Sequence, residues 1–209
     1  MEKILIIGTG GLAREASGWF DKYYEIVGYS STDRDDHKRF QMKGLLHAND
    51  VTPEVAGTNL AVIAIGSPKV KSLVYEKFTD RGFVFPSLIH PTSTVSDKAK
   101  LDDGVVIAPN CVVGPGAILG KCVYVNFCVG IGHDVQIGSF VQINPGVQIG
   151  GFAKIGAKTL VGSGATVLAG VQIGNTVIVG SGSACFAKVR DSVTVMGNPA
   201  RRMRAFEND

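Results

Sequence analysis

The chain has 209 residues, 45% of them hydrophobic and 19% charged, which excludes intrinsic disorder and leaves room for one large or two small domains. The net charge of +3 is dispersed, and its densest basic run is Arg201-Arg202-Met203-Arg204, so the Lys/Arg stripe that nucleic-acid binding needs is missing. No apolar run approaches the ~20 residues of a membrane span, Met1-Glu2-Lys3-Ile4 reads as the start of a strand rather than a signal peptide, and Cys111, Cys122, Cys128 and Cys185 form no CxxC pair, which predicts packed free thiols in a reducing cytoplasm.

Residues 1–88 read as a β-α-β unit. Ile4-Leu5-Ile6-Ile7 is a short apolar strand that runs into Gly8-Thr9-Gly10-Gly11, and a helix is expected from Leu12 to Phe20. Ile26-Val27-Gly28-Tyr29 reads as a second strand, and Asp33 to Phe40 as a polar loop. Leu60 to Ile65 is apolar throughout, as a strand buried on both faces of a parallel sheet should be. It ends in Gly66-Ser67-Pro68, and a helix is expected from Val70 to Phe78. Strands alternating with helices imply an α/β, Rossmann-like parallel sheet with right-handed crossovers. At this length it is half of a dinucleotide fold and suits a mononucleotide-sized ligand.

Residues 89–209 follow a different rule, with His90-Pro91 as the joint. From Val95 to Val179 an aliphatic residue recurs at every sixth position, fifteen times without an insertion. Gly follows it at 114, 120, 132, 138, 150, 156, 162, 174 and 180, and four positions on the residue is usually small or Val. A six-residue period does not fit an α-helix and marks an all-β, left-handed parallel β-helix, three hexads to a triangular coil and about five coils in all. The aliphatic residues are expected to stack inside, ~4.8 Å apart from coil to coil. The glycines beside them are expected to supply backbone angles that a Cβ would forbid. The period fades after Cys185, and Val193 to Met196, followed by Gly197-Asn198-Pro199-Ala200-Arg201, reads as a last strand and cap.

Of four histidines only His133 lies inside the repeats, and Asp134 follows it at once. An imidazole oriented by a carboxylate takes a proton near neutral pH, the task of a general base. Adjacent side chains on a strand point to opposite faces, so this pair requires a corner or twist at 133–134. Cys111 and Cys128 fall at or beside small-residue slots and read as packing rather than as nucleophiles. Asn126 and Asn144, one coil apart, read as a structural corner ladder.

The run Gly8-Thr9-Gly10-Gly11-Leu12-Ala13-Arg14-Glu15, together with Ala64-Ile65-Gly66-Ser67-Pro68, His90-Pro91-Thr92-Ser93-Thr94-Val95 and Gly132-His133-Asp134, resembles a family of bacterial hexapeptide-repeat sugar acetyltransferases. That family includes sialic acid O-acetyltransferases and N-acetyltransferases of nucleotide-linked 4-amino-4,6-dideoxysugars, and the resemblance spans essentially the whole chain. It implies a cytoplasmic homotrimer with active sites between subunits, a role in surface polysaccharide biosynthesis, acetyl-CoA as co-substrate, no metal, and His133 as base with Asp134 as its orienter. It implies direct transfer without an acyl-enzyme, a backbone N–H of a neighbouring coil holding the oxyanion.

The resemblance also implies where coenzyme A lies: along the cleft between two β-helices, past Gly151 and Ala169, which sit one and two coils after His133, with Ser163 and Ser181 as later contacts. The family's second histidine is replaced here by Gln142, which donates a hydrogen bond but does not titrate. For the nucleotide-sugar, the glycine loop Gly8–Gly11 resembles a phosphate cradle at a helix N-terminus, with Gly10, Gly11, Leu12 and Ala13 as expected substrate contacts and Gly66 and Lys71 as further candidates at the end of the third strand. An Asp pair of the family is replaced by Ser31 and Thr32 within Ser30-Ser31-Thr32-Asp33. The leading expectation is N-acetylation of a nucleotide-linked amino sugar; the alternative is O-acetylation of sialic acid or another sugar hydroxyl. Zinc hydration chemistry on a similar β-helix would need three histidines around the metal, and a non-catalytic scaffold would not need His133-Asp134.

Overall fold

The computed structural model of the chain describes residues 1–32, 35–48 and 50–203 and divides it into two units, Met1–Pro86 and Ser87–Asp209. In the first, strand β1 (Glu2–Ile7) buries its last four residues between two parallel neighbours, β2 (Tyr24–Ser30) and β4 (Ala61–Ile63). A short strand, β3 (Leu45–His47), adds in parallel outside β2, so the sheet order is β3-β2-β1-β4. The helices are α1 (Gly11–Phe20), α2 (Asp35–Arg39), α3 (Pro53–Ala56) and α4 (Pro68–Thr79) among the described residues. Helix α4 starts where the sequence expects a start: Pro68 occupies its first turn and the Ser67 side chain accepts from the Val70 N–H. The chain winds outward from β1 to β3 and then returns to the other side of β1, so the loops after β1 and β4 part there. Open α/β sheets bind ligands at such a reversal, beyond the carboxyl ends of the strands.

Two elements differ from the reading of the sequence. The stretch expected as a loop contains α2, whose Asp35 and Asp36 lie in the first turn and His37, Lys38 and Arg39 in the last, the charge order that complements a helix dipole. Strand β3 was not expected, because three residues with one apolar pair carry no periodicity.

The second unit is a left-handed parallel β-helix of two-residue strands. Its coils stack as three faces among the described residues. Face I begins with Leu88–Ile89 and Val106–Ile107, face II with Thr94–Val95 and Val112–Val113, and face III with Lys100–Leu101 and Ile118–Leu119. Every step along these pairs is 18 residues, as in Ile118↔Gln136 and Gly130↔Gln148. The first coil therefore starts one hexad before Val95, and His90 lies within it, its N–H bonded to the Ile107 carbonyl. The aliphatic positions and those four residues later point inward together and form one continuous core from Val105 to Val195. After Cys185 the step shortens: Ile178 pairs with Thr194, and Ile173 bridges to Val189. The strand Thr194–Met196 then turns back onto Arg201–Arg202 in the antiparallel sense and closes the end of face I.

The glycines after the aliphatic residues do not serve the backbone angles. None of those at 114, 120, 132, 138, 150, 156, 162, 174 and 180 has a positive φ. They are clearance: a Cβ at Gly132 would lie 2.7 Å from the Gly151 nitrogen, and one at Gly138 would lie 2.6 Å from the Ala157 nitrogen. The left-handed residue of each hexad comes two positions later, and it is often not glycine, as at Asn110, Asp134, Phe152 and Lys158. Cys111, Cys122 and Cys185 are buried and Cys128 is exposed, all four as free thiols. Burial raises the Cys111 and Cys185 thiols above their ordinary range.

Candidate active site

His133 occupies the corner between faces II and III, between the strands Gly130–Ile131 and Gln136–Ile137. Asp134 takes the left-handed position of that corner, φ 58°. The turn removes the strand alternation that would separate neighbouring side chains, and His133 Nδ1 comes 3.0 Å from Asp134 Oδ2. An ionised carboxylate only accepts, so the proton of a neutral imidazole sits on Nδ1 and Nε2 keeps its lone pair. The two side chains are 55% and 50% exposed, an arrangement open to a substrate.

The coils on either side are shaped around this pair. The carboxylate of Asp134 occupies the space that a Cβ on Gly116 would take. On the other side the imidazole lies over Gly151: a Cβ there would be 2.6 Å from Nε2, 2.7 Å from Cε1 and 3.0 Å from Cδ2. The next residue, Phe152, sets its ring edge-to-face with the imidazole, centroids 4.9 Å apart at 88°. The Gly151 N–H makes no backbone hydrogen bond among the described residues. A proton acceptor with a fixed tautomer, half open to solvent, beside an unengaged backbone donor can take a proton from a nucleophile and stabilise an oxyanion.

The predicted coenzyme residues fall into three places. Gly151 and Ala169 share the His133 corner, and a Cβ on Gly150 would lie 2.5 Å from the Ala169 nitrogen. Ser163 and Ser181 stack on the corner between faces I and II. Gln142 lies on face I, 1% exposed, with its amide nitrogen 3.3 Å from Asn144 Oδ1. It does not share a corner with His133. Between the two corners, face II carries a groove of about 600 Å³ lined by Val112, Cys128, Gly130, Gln148 and Thr166, which ends at Gly132 beside His133. Gly130 makes the notch in this groove, because the Gln148 side chain lies across the place of its missing Cβ. Asn126 and Asn144 keep the corner register, but their amide oxygens serve different partners, the Phe127 N–H and Gln142.

In the first unit, a cleft of about 190 Å³ opens at the carboxyl ends of β1 and β2, lined by Gly8, Ser31, Thr32, Ile65, Val70 and Lys77 among others. Ser31 is held there by a 3.0 Å bond from the Thr9 hydroxyl. Gly8 is required by its turn, with φ 120° and the Ala64 carbonyl 2.8 Å from where its Cβ would be. Gly66 faces Leu12, whose Cδ1 would be 3.2 Å from a Cβ there. Gly10 and Gly11 are different: a Cβ on either meets nothing within 4 Å, so the fold does not need them to be glycine. Ala13 and Lys71 are buried and do not line the cleft. The cation on the cleft is Lys77, two turns along α4 from Val70, and no motif in the sequence singles it out. Among the described residues no three His, Cys, Asp or Glu side chains group as a metal site, and no helix is long and apolar enough to cross a membrane.

Residues 3–78 match the PglD N-terminal domain family. The whole chain is similar to the acetyltransferase domain of PglB from Neisseria gonorrhoeae, at 27% identity and TM-score 0.86 over 97% of this chain and 100% of that one. The same domain in complex with acetyl coenzyme A matches at 26% identity and TM-score 0.85, covering 97% and 99%. PerB from Caulobacter crescentus, solved with CoA and GDP-perosamine, has the same fold at 24% identity and TM-score 0.89, covering 97% of this chain and 98% of that one. No curated protein matches the chain significantly.

Proposed function

We propose, for a chain that belongs to the bacterial hexapeptide-repeat sugar acetyltransferases, that it moves the acetyl group of acetyl-CoA to the amino group of a nucleotide-linked amino-deoxysugar. The observation that carries this reading is the His133–Asp134 pair, 3.0 Å apart over the bare backbone of Gly151. Asp134 holds the proton on Nδ1. His133 Nε2 takes a proton from the sugar amine as its nitrogen bonds to the thioester carbon. The carbonyl oxygen becomes an oxyanion, which the Gly151 N–H receives. Collapse of the tetrahedral intermediate breaks the carbon–sulfur bond, and the imidazolium returns the proton to the leaving thiolate. Transfer is direct, without an acyl-enzyme, and the buried Cys111 and Cys185, whose thiols burial raises above their ordinary range, are not its nucleophiles.

The donor is supported by the acetyl-CoA complex of the Neisseria domain. Its pantetheine arm follows the coil stack past Gly151 and Ala169, with Ser163 and Ser181 on the far edge of face II, and the β-helix of a neighbouring subunit in a homotrimer forms the opposite wall. Gln142, buried on face I, stays outside the acetyl pocket of its own chain. The acceptor is suggested by the fold-level likeness to PerB, which was solved with GDP-perosamine. In the first unit, Gly10 and Gly11 leave the N-terminus of α1 open to a phosphate, with Ser31, Thr32 and Lys77 on the neighbouring cleft. An enzyme that consumes acetyl-CoA works where that metabolite is made, in the cytoplasm.

The test is acetyl transfer from acetyl-CoA to a panel of nucleotide-linked 4-amino sugars and to sialic acid, by wild type and His133→Ala. Transfer to an amine, lowered by about 10²-fold or more in the variant, is expected. Equal rates for the two proteins refute the base assignment, and transfer to the sialic acid hydroxyl alone establishes the O-acetylation reading instead.

A further inference from the structure

Phe152 is at odds with its surroundings. The residue is 60% exposed, so it contributes little to the core. Its φ is 61°, the left-handed region that a bulky residue avoids. Along this corner the left-handed positions are Gly116, Asp134, Phe152 and Gly170. The two outer ones are the glycines the conformation favours, and the two that border His133 carry side chains. Non-glycine residues take the left-handed position elsewhere along the β-helix, Phe140 at φ 64° among them, so what sets Phe152 apart is the contact its exposed side chain makes.

What Phe152 touches is His133. Its ring meets the imidazole at 88° with 4.9 Å between centroids, and its N–H donates to the His133 carbonyl at 3.0 Å. The bond to Asp134 fixes one ring nitrogen and leaves the imidazole free to pivot about that contact. Gly151 has no Cβ to stop the pivot. A perpendicular ring does so, and it also sheds water from one side of the base. We propose that Phe152 is a positioning residue that holds the His133 imidazole with Nε2 directed at the substrate. The proposal rests on His133 being the base.

The experiment compares Phe152→Gly, Phe152→Leu and Phe152→Tyr with wild type and His133→Ala in the full chain. The readouts are kcat, KM for each substrate, the melting temperature, the mass in solution, and the 15N and 13C resonances of the His133 ring. Glycine suits φ 61°, so Phe152→Gly should melt no lower than wild type while kcat falls about 10-fold to 100-fold. KM for the acceptor sugar should hold, and the His133 ring resonances should lose their single tautomer and orientation. Phe152→Leu should lose activity similarly, and Phe152→Tyr should recover most of it. Wild-type kcat and unchanged His133 resonances in both Phe152→Gly and Phe152→Leu overturn the proposal, with His133→Ala still inert. A changed solution mass in these variants also overturns it, because the ring would then serve contact between subunits. If His133→Ala is itself fully active, both the base assignment and the proposal fall.

Discussion

Replacing Gly151 with alanine places one methyl group against the base. The three atoms nearest to it are His133 Nε2, Cε1 and Cδ2, at 2.6, 2.7 and 3.0 Å. Ordinary contact lies near 3.5 Å, so the ring must retreat by roughly 0.9 Å. The retreat breaks the 3.0 Å bond to Asp134 and the contact with Phe152. A misplacement of about 1 Å at a reacting group costs ~10²-fold, or about 2.7 kcal/mol of barrier, and full loss of the base costs up to ~10⁴-fold. Stability should barely move, because a half-exposed side chain gives way more easily than backbone. Gly132→Ala is the contrast: its methyl meets the Gly151 nitrogen at 2.7 Å, and overpacking of that kind costs about 1–3 kcal/mol of folding free energy. The assay is chromatographic measurement of CoA released at saturating substrates, beside a thermal melt of each variant. A Gly151→Ala protein with kcat within threefold of wild type, or one that melts as low as Gly132→Ala, refutes the placement of the imidazole.

Four further outcomes follow from the same geometry. Asp134→Asn keeps the size and tolerates the left-handed turn but lets an amide donate to Nδ1, so kcat should fall by about 10²-fold with little change in melting temperature. Gly116→Ala combines a φ of 72° with collision against the Asp134 carboxylate, so it should lose ~1 kcal/mol or more of stability in a denaturant titration and activity as well. Gly11→Asp should leave the melt unchanged, since a side chain there meets nothing, while a carboxylate at the α1 N-terminus raises KM for the nucleotide-sugar by about 10-fold or more and leaves KM for acetyl-CoA alone. Burial raises the Cys111 and Cys185 thiols, so at neutral pH their thiolate is scarcer than in the unfolded chain; iodoacetamide should reach at most Cys128 in the native protein and all four cysteines in denaturant, counted by mass spectrometry.

The β-helix was legible because its signal is a count, and a six-residue beat from Val95 to Val179 leaves no competing geometry. What the count could not say was why glycine follows the aliphatic residue. Clearance from the next coil concerns a residue 19 positions on, as between Gly132 and Gly151, and no local rule reports it. The same distance hid Phe152, whose partner is a coil away. Helix α2 was missed although its signal was present: acidic Asp35 and Asp36 ahead of basic His37, Lys38 and Arg39 on a stretch with no apolar face. Lys71 and Lys77 lie on one helix, and only the packing of α4 decides that Lys77 lines the cleft while Lys71 is buried. His133 and Asp134 were legible together with the turn they need, since neighbours on a regular strand would have faced apart.

The 18-residue register has an evolutionary corollary. Residues that meet across it, such as His133 with Gly151 and Phe152, are neighbours only modulo a whole coil. Inserting or deleting one hexad between them would rotate everything downstream by a third of a turn and send the aromatic ring to a different side of the prism. A full coil would restore the phase but leave the partner one storey too far. The segment from His133 to Phe152 is therefore closed to changes in length, whereas whole coils added beyond Ser181, toward the C-terminal cap, would lengthen the prism and leave the chemistry untouched.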